Sequence, residues 1–357
     1  MRLPAWTSTV PVLAALTLIV TWGSKPGAVV LAVVGVLLAG AVLAAVHHAE
    51  VVAHRVGEPF GSLVLAVAVT VIEVALIVTL MVSGGSETET LARDTVFAAV
   101  MITCNGIVGI SLLVGALKQR IASFNAEGSA TALATVATLA TLCLVLPRFT
   151  TSTPGPEFSS SQLAFAAVVS LALYGLFVLI QTVRHRDYFL PAGGDAGEDD
   201  HAAPPSDRKA VASLGLLVVA LVAVVGLAKI ESPAVEDAIA AIGAPPSAVG
   251  VVIALVVLAP ETLAAIRNAR RNRVQTSFNL AFGSAMASIG LTIPAIAVAS
   301  IWLEGPLELG LGATQMVLLA ITVVVGALTV LPGRATLQEG AVHLAIFAAF
   351  LFLALNP

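Results

Sequence analysis

Residues 63–82 read LVLAVAVTVIEVALIVTLMV, and Glu73 is the only ionisable side chain among them. A run of about 20 apolar residues is what an α-helix needs to cross the hydrocarbon core of a bilayer. The stretch is therefore expected to be a membrane span with a carboxylate near its middle. A second stretch, VGVVIALVVLAPETLAAI at residues 249–266, repeats the arrangement with Glu261.

The rest of the chain agrees with a membrane setting. Of 357 residues, 58% are hydrophobic and 11% charged, against roughly 25% charged in soluble domains. Eleven apolar windows bounded by charge, proline and glycine fall near 9–22, 26–47, 61–83, 95–117, 129–146, 161–182, 210–229, 247–266, 277–303, 313–331 and 337–355. The fold class expected is an all-α polytopic membrane protein of about eleven transmembrane helices. Lys25, Arg93, Arg148 and Lys229 fall on one side of the alternation, and the other thirteen of the seventeen Lys and Arg fall on the opposite side. Cytoplasmic loops carry the basic excess, which predicts a cytoplasmic N-terminus and an external C-terminus in a bacterial inner membrane. Arg2 before an apolar run could suggest a cleaved leader, but a second long apolar run follows Lys25 directly, so a first spanning helix is expected.

The longest break in hydrophobicity, residues 184–209, holds the acidic, Gly- and Pro-rich string GGDAGEDDHAAPPSD, the composition of a solvated linker. It lacks the ligand spacing of an EF-hand. The expected organisation is a leading helix at 1–25, a first five-helix repeat at 26–183, the linker at 184–209 and a second five-helix repeat at 210–357. An odd number of helices per half inverts the second half relative to the first. Inverted repeats of this kind place transport sites near the midplane where the halves meet.

Nearly all of the 21 Asp and Glu residues are expected in loops or at helix ends, with Glu339 at the start of the last helix, where a carboxylate complements the helix dipole. Glu73 and Glu261 are not. A charge at mid-bilayer costs at least ~2.5 kcal/mol on insertion scales, so it is usually kept for an ion path or proton relay. The two occupy the second helix of their halves and have similar offsets, Glu73 following Pro59 by fourteen residues and Glu261 following Pro246 by fifteen. Inverted halves would bring them to one level. Facing carboxylates with no resident Lys or Arg suit a hard cation with oxygen ligands, such as Ca²⁺. The empty pair is expected to hold at least one proton, which the cation must displace. Competition for one site would then make the chain an antiporter, with Glu73 and Glu261 binding both cation and proton. Asn105 in the third helix of the first half, with Asn279, Ser284 and Ser288 in the third helix of the second, are expected to add neutral oxygens. Gly106, Gly109, Gly283 and Gly290 would let these helices approach closely.

These residues sit in strings that resemble the bacterial calcium/proton antiporters of the calcium:cation antiporter superfamily, in the branch named as calcium or sodium-potassium/proton antiporters. The resemblance rests on HHAEVVAHRVGEPFGSL from His47, VIEV around Glu73, ARDTVFAAVMITCNGIVG from Ala92, LIQTVRHRDYF from Leu179, APETLAAIRNARRNRVQTSFNLAFGSAMASIGLTIP from Ala259 and LQEGAVHLAIF from Leu337. It implies a core of two inverted five-helix halves with Glu73 and Glu261 as the acidic pair, and polar third helices around Asn105 and Ser284 to Ser288 lining the site. The residues before each glutamate, Val69 to Ile72 and Val257 to Pro260, are apolar apart from Thr70, whereas the wider superfamily has a Gly-Asn-Ala-Thr-Glu-like stretch there. Ca²⁺ is the expected cation, with Na⁺ or K⁺ as the alternative on the same scaffold.

His47 and His48, with His54, stand at the expected cytoplasmic end of the second helix, where a titration near pH 6.5 could sense cytosolic pH. His343 in the last helix could pair with a neighbour or join such a response. Cys104 and Cys143 lie in apolar stretches and are expected to be free and buried. No cofactor, nucleic acid or enzymatic activity is expected. The two mid-span aspartates of an aspartyl intramembrane protease and the GxSG string of a rhomboid are both missing. A passive cation channel is a distant alternative, because it gives no reason for two matched glutamates in one chain. Expected partners are membrane lipid, the transported cation and protons, and a homo-oligomer stays open.

Overall fold

The structure is a computed structural model that describes residues 5–24, 26–57, 60–84, 89–190, 205–241, 243–302 and 305–357. Most of the acidic string of the linker, residues 191–204, lies outside the described residues, as do Lys25 and Pro59. The chain is nearly all helix: α1 (Ala5–Thr21), α2 (Ala28–Val56), α3 (Phe60–Gly84), α4 (Leu91–Gln119), α5 (Ala126–Arg148), α6 (Ser160–Arg184), α7 (Asp207–Ala241), α8 (Ala248–Val257), α9 (Ala259–Arg270), α10 (Val274–Ala299), α11 (Ala313–Val330) and α12 (Leu337–Leu355). Among the described residues, nine helices are long and apolar enough to cross a membrane, or ten if the bent pair α8 and α9 is one span. The eleven expected windows all fall on helices. The eleventh span is not met by length, because α1 has 17 residues and reaches only about 25 Å at 1.5 Å per residue.

Two helices run further than expected. α2 continues to Val56, which leaves His48 buried inside the bundle instead of at a helix end. α7 continues past Lys229 to Ala241, so Glu231 belongs to a helix of 35 residues and not to a loop. The charged string KIESPAVED looks like a loop, but Ser232 donates to Glu236 one turn on at 2.8 Å, and Pro233 is carried inside the helix. At the other end of the scale, α12 starts where Thr336 and Glu339 form a capping box, the Glu339 carboxylate accepting from the Thr336 N–H at 2.8 Å. That is the dipole-complementing role expected of this carboxylate.

The helices pack reciprocally. α2 lies on α7; α3 packs on α10, and α8 and α9 pack on α4; α4 lies against α12, and α10 against α6. Apart from α1, which lies on α7 and has no counterpart, these contacts of a helix before the linker with one after it come in pairs with the roles exchanged. Glycine permits the closest of these approaches. A Cβ on Gly109 of α4 would stand 3.1 Å from the Gly340 carbonyl of α12, and one on Gly290 of α10 would stand 2.7 Å from the Cβ of Tyr174 in α6.

Two apolar cores result. One joins α1, α2 and α7 to one side of α3 and α8, through Ile72, Leu76, Val249 and Ile253. The larger one gathers α4, α5, α6, α10, α11 and α12; Ile77 of α3, Ala254 and Leu258 of the α8 segment and Ala265 of α9 are buried in it, with Ala66, Val74, Val78 and Met81 of α3 packed against it. The two helices that carry the key glutamates therefore form the seam between two bodies. Cys104 and Cys143 are both free and buried.

Connections that should share a face do meet. Arg55 pairs with Asp207, Lys118 donates to the Arg270 carbonyl at 2.9 Å, and β1 (Ala122–Ser123) pairs antiparallel with β2 (Arg334–Ala335). On the other face, Glu308 donates its N–H to the Glu89 carbonyl and bridges Glu157. The alternation of connections from one face to the other therefore holds along the chain.

Candidate ion-binding site

Glu73 stands on α3, which runs unbroken through it, and only 2% of its surface is exposed. One carboxylate oxygen, Oε2, accepts two hydroxyl hydrogen bonds from α10, from Ser288 at 3.0 Å and Thr292 at 3.2 Å. Four residues apart, these hydroxyls lie on one side of a helix. Between them α10 departs from regular geometry at Leu291. Pro294 accounts for this locally, since it has no N–H to offer the carbonyl four residues back, at Gly290.

Glu261 is held differently. The helix carrying it breaks by 52° between α8 and α9, at Leu258, whose backbone is not helical. Pro260 sits in the first turn of α9, where its missing N–H is one of the unpaired donors of a helix start in any case. Glu261 follows in the same turn, where the helix dipole favours negative charge. It is 8% exposed, and among the described residues no side-chain hydroxyl donates to its carboxylate.

The two side chains open into one cavity of about 210 Å³, whose wall also includes Thr70, Asn279, Ser284 and Ser288. One oxygen of each acid, Oε1 of Glu73 and Oε2 of Glu261, is buried with no hydrogen-bond partner among the described residues. Buried carboxylate oxygens without donors are costly unless a ligand or proton meets them. The acid pair stands apart from any larger ligand set, because among the described residues no three His, Cys, Asp or Glu side chains converge. Ser284, Ser288 and Asn279 all reach this cavity; Asn279 is also anchored, accepting from Gln275 at 2.9 Å and donating to the Phe189 carbonyl at 2.6 Å.

Asn105 does not line the cavity. It lies in a six-residue π-helical segment of α4 (Ile102–Ile107) and belongs to a separate polar cluster. Its amide nitrogen donates to Thr322 of α11 at 2.8 Å, and its oxygen meets His343 Nδ1 of α12 at 3.1 Å, while His343 Nε2 meets Thr329 at 3.1 Å. Since the Asn105 nitrogen is the donor to Thr322, its oxygen must accept, which puts the imidazole proton on Nδ1 and leaves Nε2 to accept from the Thr329 hydroxyl. The cluster is saturated and ties three helices together. His343 thus has the neighbour it needed. His47 and His48 also lie away from the cavity, with His48 Nε2 on the Thr7 carbonyl at 2.9 Å.

Reading the sequence alone missed Thr292 and the α6 wall, Tyr174 and Gln181. Thr292 is two residues from Pro294 and looks like a helix end; its spacing of four from Ser288 was the available signal.

Residues 26–183 and 212–356 match the family described as sodium/calcium exchanger protein. The chain belongs to the sodium/calcium exchanger protein family. It is 46% identical to the y4hA protein of Sinorhizobium fredii, over 100% of this chain and 97% of that one. It is 36% identical to the sodium-potassium/proton antiporter ChaA of Escherichia coli, over 96% of this chain and 93% of that one. Its fold is that of the crystal structure of the selenium-substituted Ca²⁺/H⁺ antiporter protein YfkE, with a TM-score of 0.69 at 16% identity, covering 99% of this chain and 98% of that one. Members of the family are transporters and not enzymes. The chain is thus a multi-pass membrane protein of a cation-exchanger family.

Proposed function

We propose that the chain exchanges a cation for protons across the bacterial inner membrane, by competition of the two for Glu73 and Glu261. The observation that carries this reading is the pair of partnerless carboxylate oxygens, Glu73 Oε1 and Glu261 Oε2, on two buried acids that open into one cavity. A cation entering there meets two carboxylates and the hydroxyls of Ser284 and Ser288; protons meet the same oxygens. Each bound proton cancels charge that the cation requires, so the two ligands exclude one another. The reciprocal packing of the helices and the two matched segments support a division into two inverted five-helix repeats, at 26–183 and 210–357. With the Arg-rich connections inside, the N-terminus is cytoplasmic, and the 210 Å³ cavity lies on the cytoplasmic side of the acids.

Ca²⁺ is the cation best suited to a double-carboxylate site of hard oxygens. A monovalent substrate is the second reading. It is favoured by the relative named as a sodium-potassium/proton antiporter and by the apolar residues that precede each glutamate, Val69 to Ile72 apart from Thr70 and Val257 to Pro260. Proton flux in vesicles containing the purified chain, driven in turn by Ca²⁺, Na⁺ and K⁺ gradients, tests both. Flux with Ca²⁺ alone supports the first reading, flux with Na⁺ or K⁺ the second. Cation movement without any proton movement would contradict exchange.

A further inference from the structure

Two cavities lie on opposite sides of the acids along the same helices. The 210 Å³ cavity takes its α3 wall from residues 65–73 and its other acid-bearing wall from Leu258 and Glu261. A second cavity, of about 80 Å³, takes its α3 wall from Leu76 and Leu80 and its α8 wall from residues 249–256, with α2 and α7 closing it. Leu76 is one helical turn beyond Glu73 and Leu80 two, about 4.5 and 10 Å along the axis. The second cavity therefore continues the line of the first past Glu73, toward the membrane face that the first does not open to.

Its lining is apolar except for Ser232 and Glu231. Ser232 is occupied within its own helix by Glu236. Glu231 is not: Oε2 is buried with no hydrogen-bond partner among the described residues. Its other oxygen lies over Gly35 of α2, 3.4 Å from where a Cβ would stand. Glu231 is some 36 Å along α7 at ~1.5 Å per residue, close enough to the membrane surface for a side chain of its length to turn outward into water, as interfacial charges do. It turns instead onto α2 and into the cavity. The nearest cation in sequence, Lys229, is directed elsewhere, over the Trp22 ring at 5.7 Å from its centroid.

We propose that Glu231 is a transient cation-binding carboxylate on the passage between the glutamate pair and the face opposite the 210 Å³ cavity. The passage is closed in this conformation by the contact of α2 and α7 with α3 and α8, at the seam between the two cores, where Val42, Leu76, Leu80 and Ile253 meet. When the α2 and α7 body shifts along that seam, Glu231 becomes the first carboxylate an arriving cation meets and the last a departing one leaves. A single carboxylate in an apolar passage attracts the ion without holding it, which conduction through a multi-site path requires. The chemistry recognised is a small inorganic cation, shared with the main site, and the inference rests on the exchange reading above.

The test uses the full chain in proteoliposomes of defined orientation, with Ca²⁺, Na⁺ and K⁺ each supplied from one side at a time while proton flux is recorded. For Glu231→Gln, the half-saturating concentration of the transported cation should rise roughly fivefold from the Glu231 side and change less than about twofold from the other, since the lost charge acts only on approach from its own side. Glu231→Asp should recover most of the loss. Equal changes from both sides, or none from either, would overturn the assignment while leaving exchange at the glutamate pair intact. Wild-type vesicles that show no cation-coupled proton flux would overturn both.

Discussion

Glu73 and Glu261 are alike in sequence and unlike in their surroundings. Glu73 rides an unbroken helix and has one oxygen held by two hydroxyls of α10. Glu261 rides the first turn of a helix that begins at a 52° break and receives no such hydroxyls among the described residues. On α4, the helix against α9, the buried amide of Asn105 is spent on His343 and Thr322. The halves pair their helices alike but use their polar residues differently. One half supplies donors to the opposite acid; the other uses its amide to tie α4, α11 and α12 together. A pair built this way has one positioned carboxylate and one adaptable one. That suits a site that must accept an ion and release it.

The comparison can be broken most severely at the acids themselves. Glu73→Gln and Glu261→Gln should each reduce cation-driven proton flux to the level of empty vesicles while leaving expression and insertion intact, since either change removes charge the cation needs. Near wild-type flux in one of them would show that the site is a single carboxylate.

A smaller effect separates the two environments. Ser288→Ala combined with Thr292→Val removes both donors to Glu73, and hydrogen bonds to a charged group are worth about 1.5–3 kcal/mol. Apparent cation affinity should fall about tenfold or more, as read from the concentration dependence of flux. Substituting Thr103, whose hydroxyl turns back to the Ala99 carbonyl of its own helix at 2.7 Å, should leave affinity unchanged.

Asn105→Ala sharpens the other side of the comparison. It strands His343 Nδ1 in a buried setting, and an unsatisfied buried polar group costs about 1–3 kcal/mol. Thermal unfolding in detergent should therefore shift down, with cation affinity little changed in the surviving protein. A selective loss of affinity at unchanged stability would return Asn105 to the ion's surroundings.

The smallest effect is expected on the face of Glu157. Burial, with the charges of Glu308 and Glu89 beside it, raises the affinity of its carboxyl for a proton above the usual range. The folded chain then binds that proton more tightly than the unfolded chain, so the group's contribution falls as pH rises through the raised value. Glu157→Gln should be slightly more stable than wild type near pH 7, and the difference should vanish in acid. A pH-independent difference would mean that the neighbouring carboxylates are not its cause.

Much of this architecture can be read from the chain because a bilayer leaves few options for a backbone: long apolar windows must be helices, and a lone Glu within one has few structural excuses. The place of Glu73 and Glu261 on one cavity was legible for that reason, and so was that of Ser284 and Ser288 by their polar helix. The place of Asn105 away from that cavity was not, because its partner His343 lies 238 residues away and an Asn in a span looks the same whether it serves an ion or a histidine. The unmatched His343 on the last helix was the available hint. Glu231 was hidden by its neighbours, since Lys229, Pro233, Glu236 and Asp237 make its stretch resemble a loop.

The claim that cation and proton compete for one acid pair is tested most directly by calorimetric cation titration of the purified chain between pH 6 and 9, in buffers of differing ionisation heat. Cation binding should release protons, and apparent affinity should weaken as pH falls, by the same coupling free energy that links the two ligands. Both effects should be lost in Glu73→Gln and Glu261→Gln. Binding that releases no proton at any pH in that range would contradict the account.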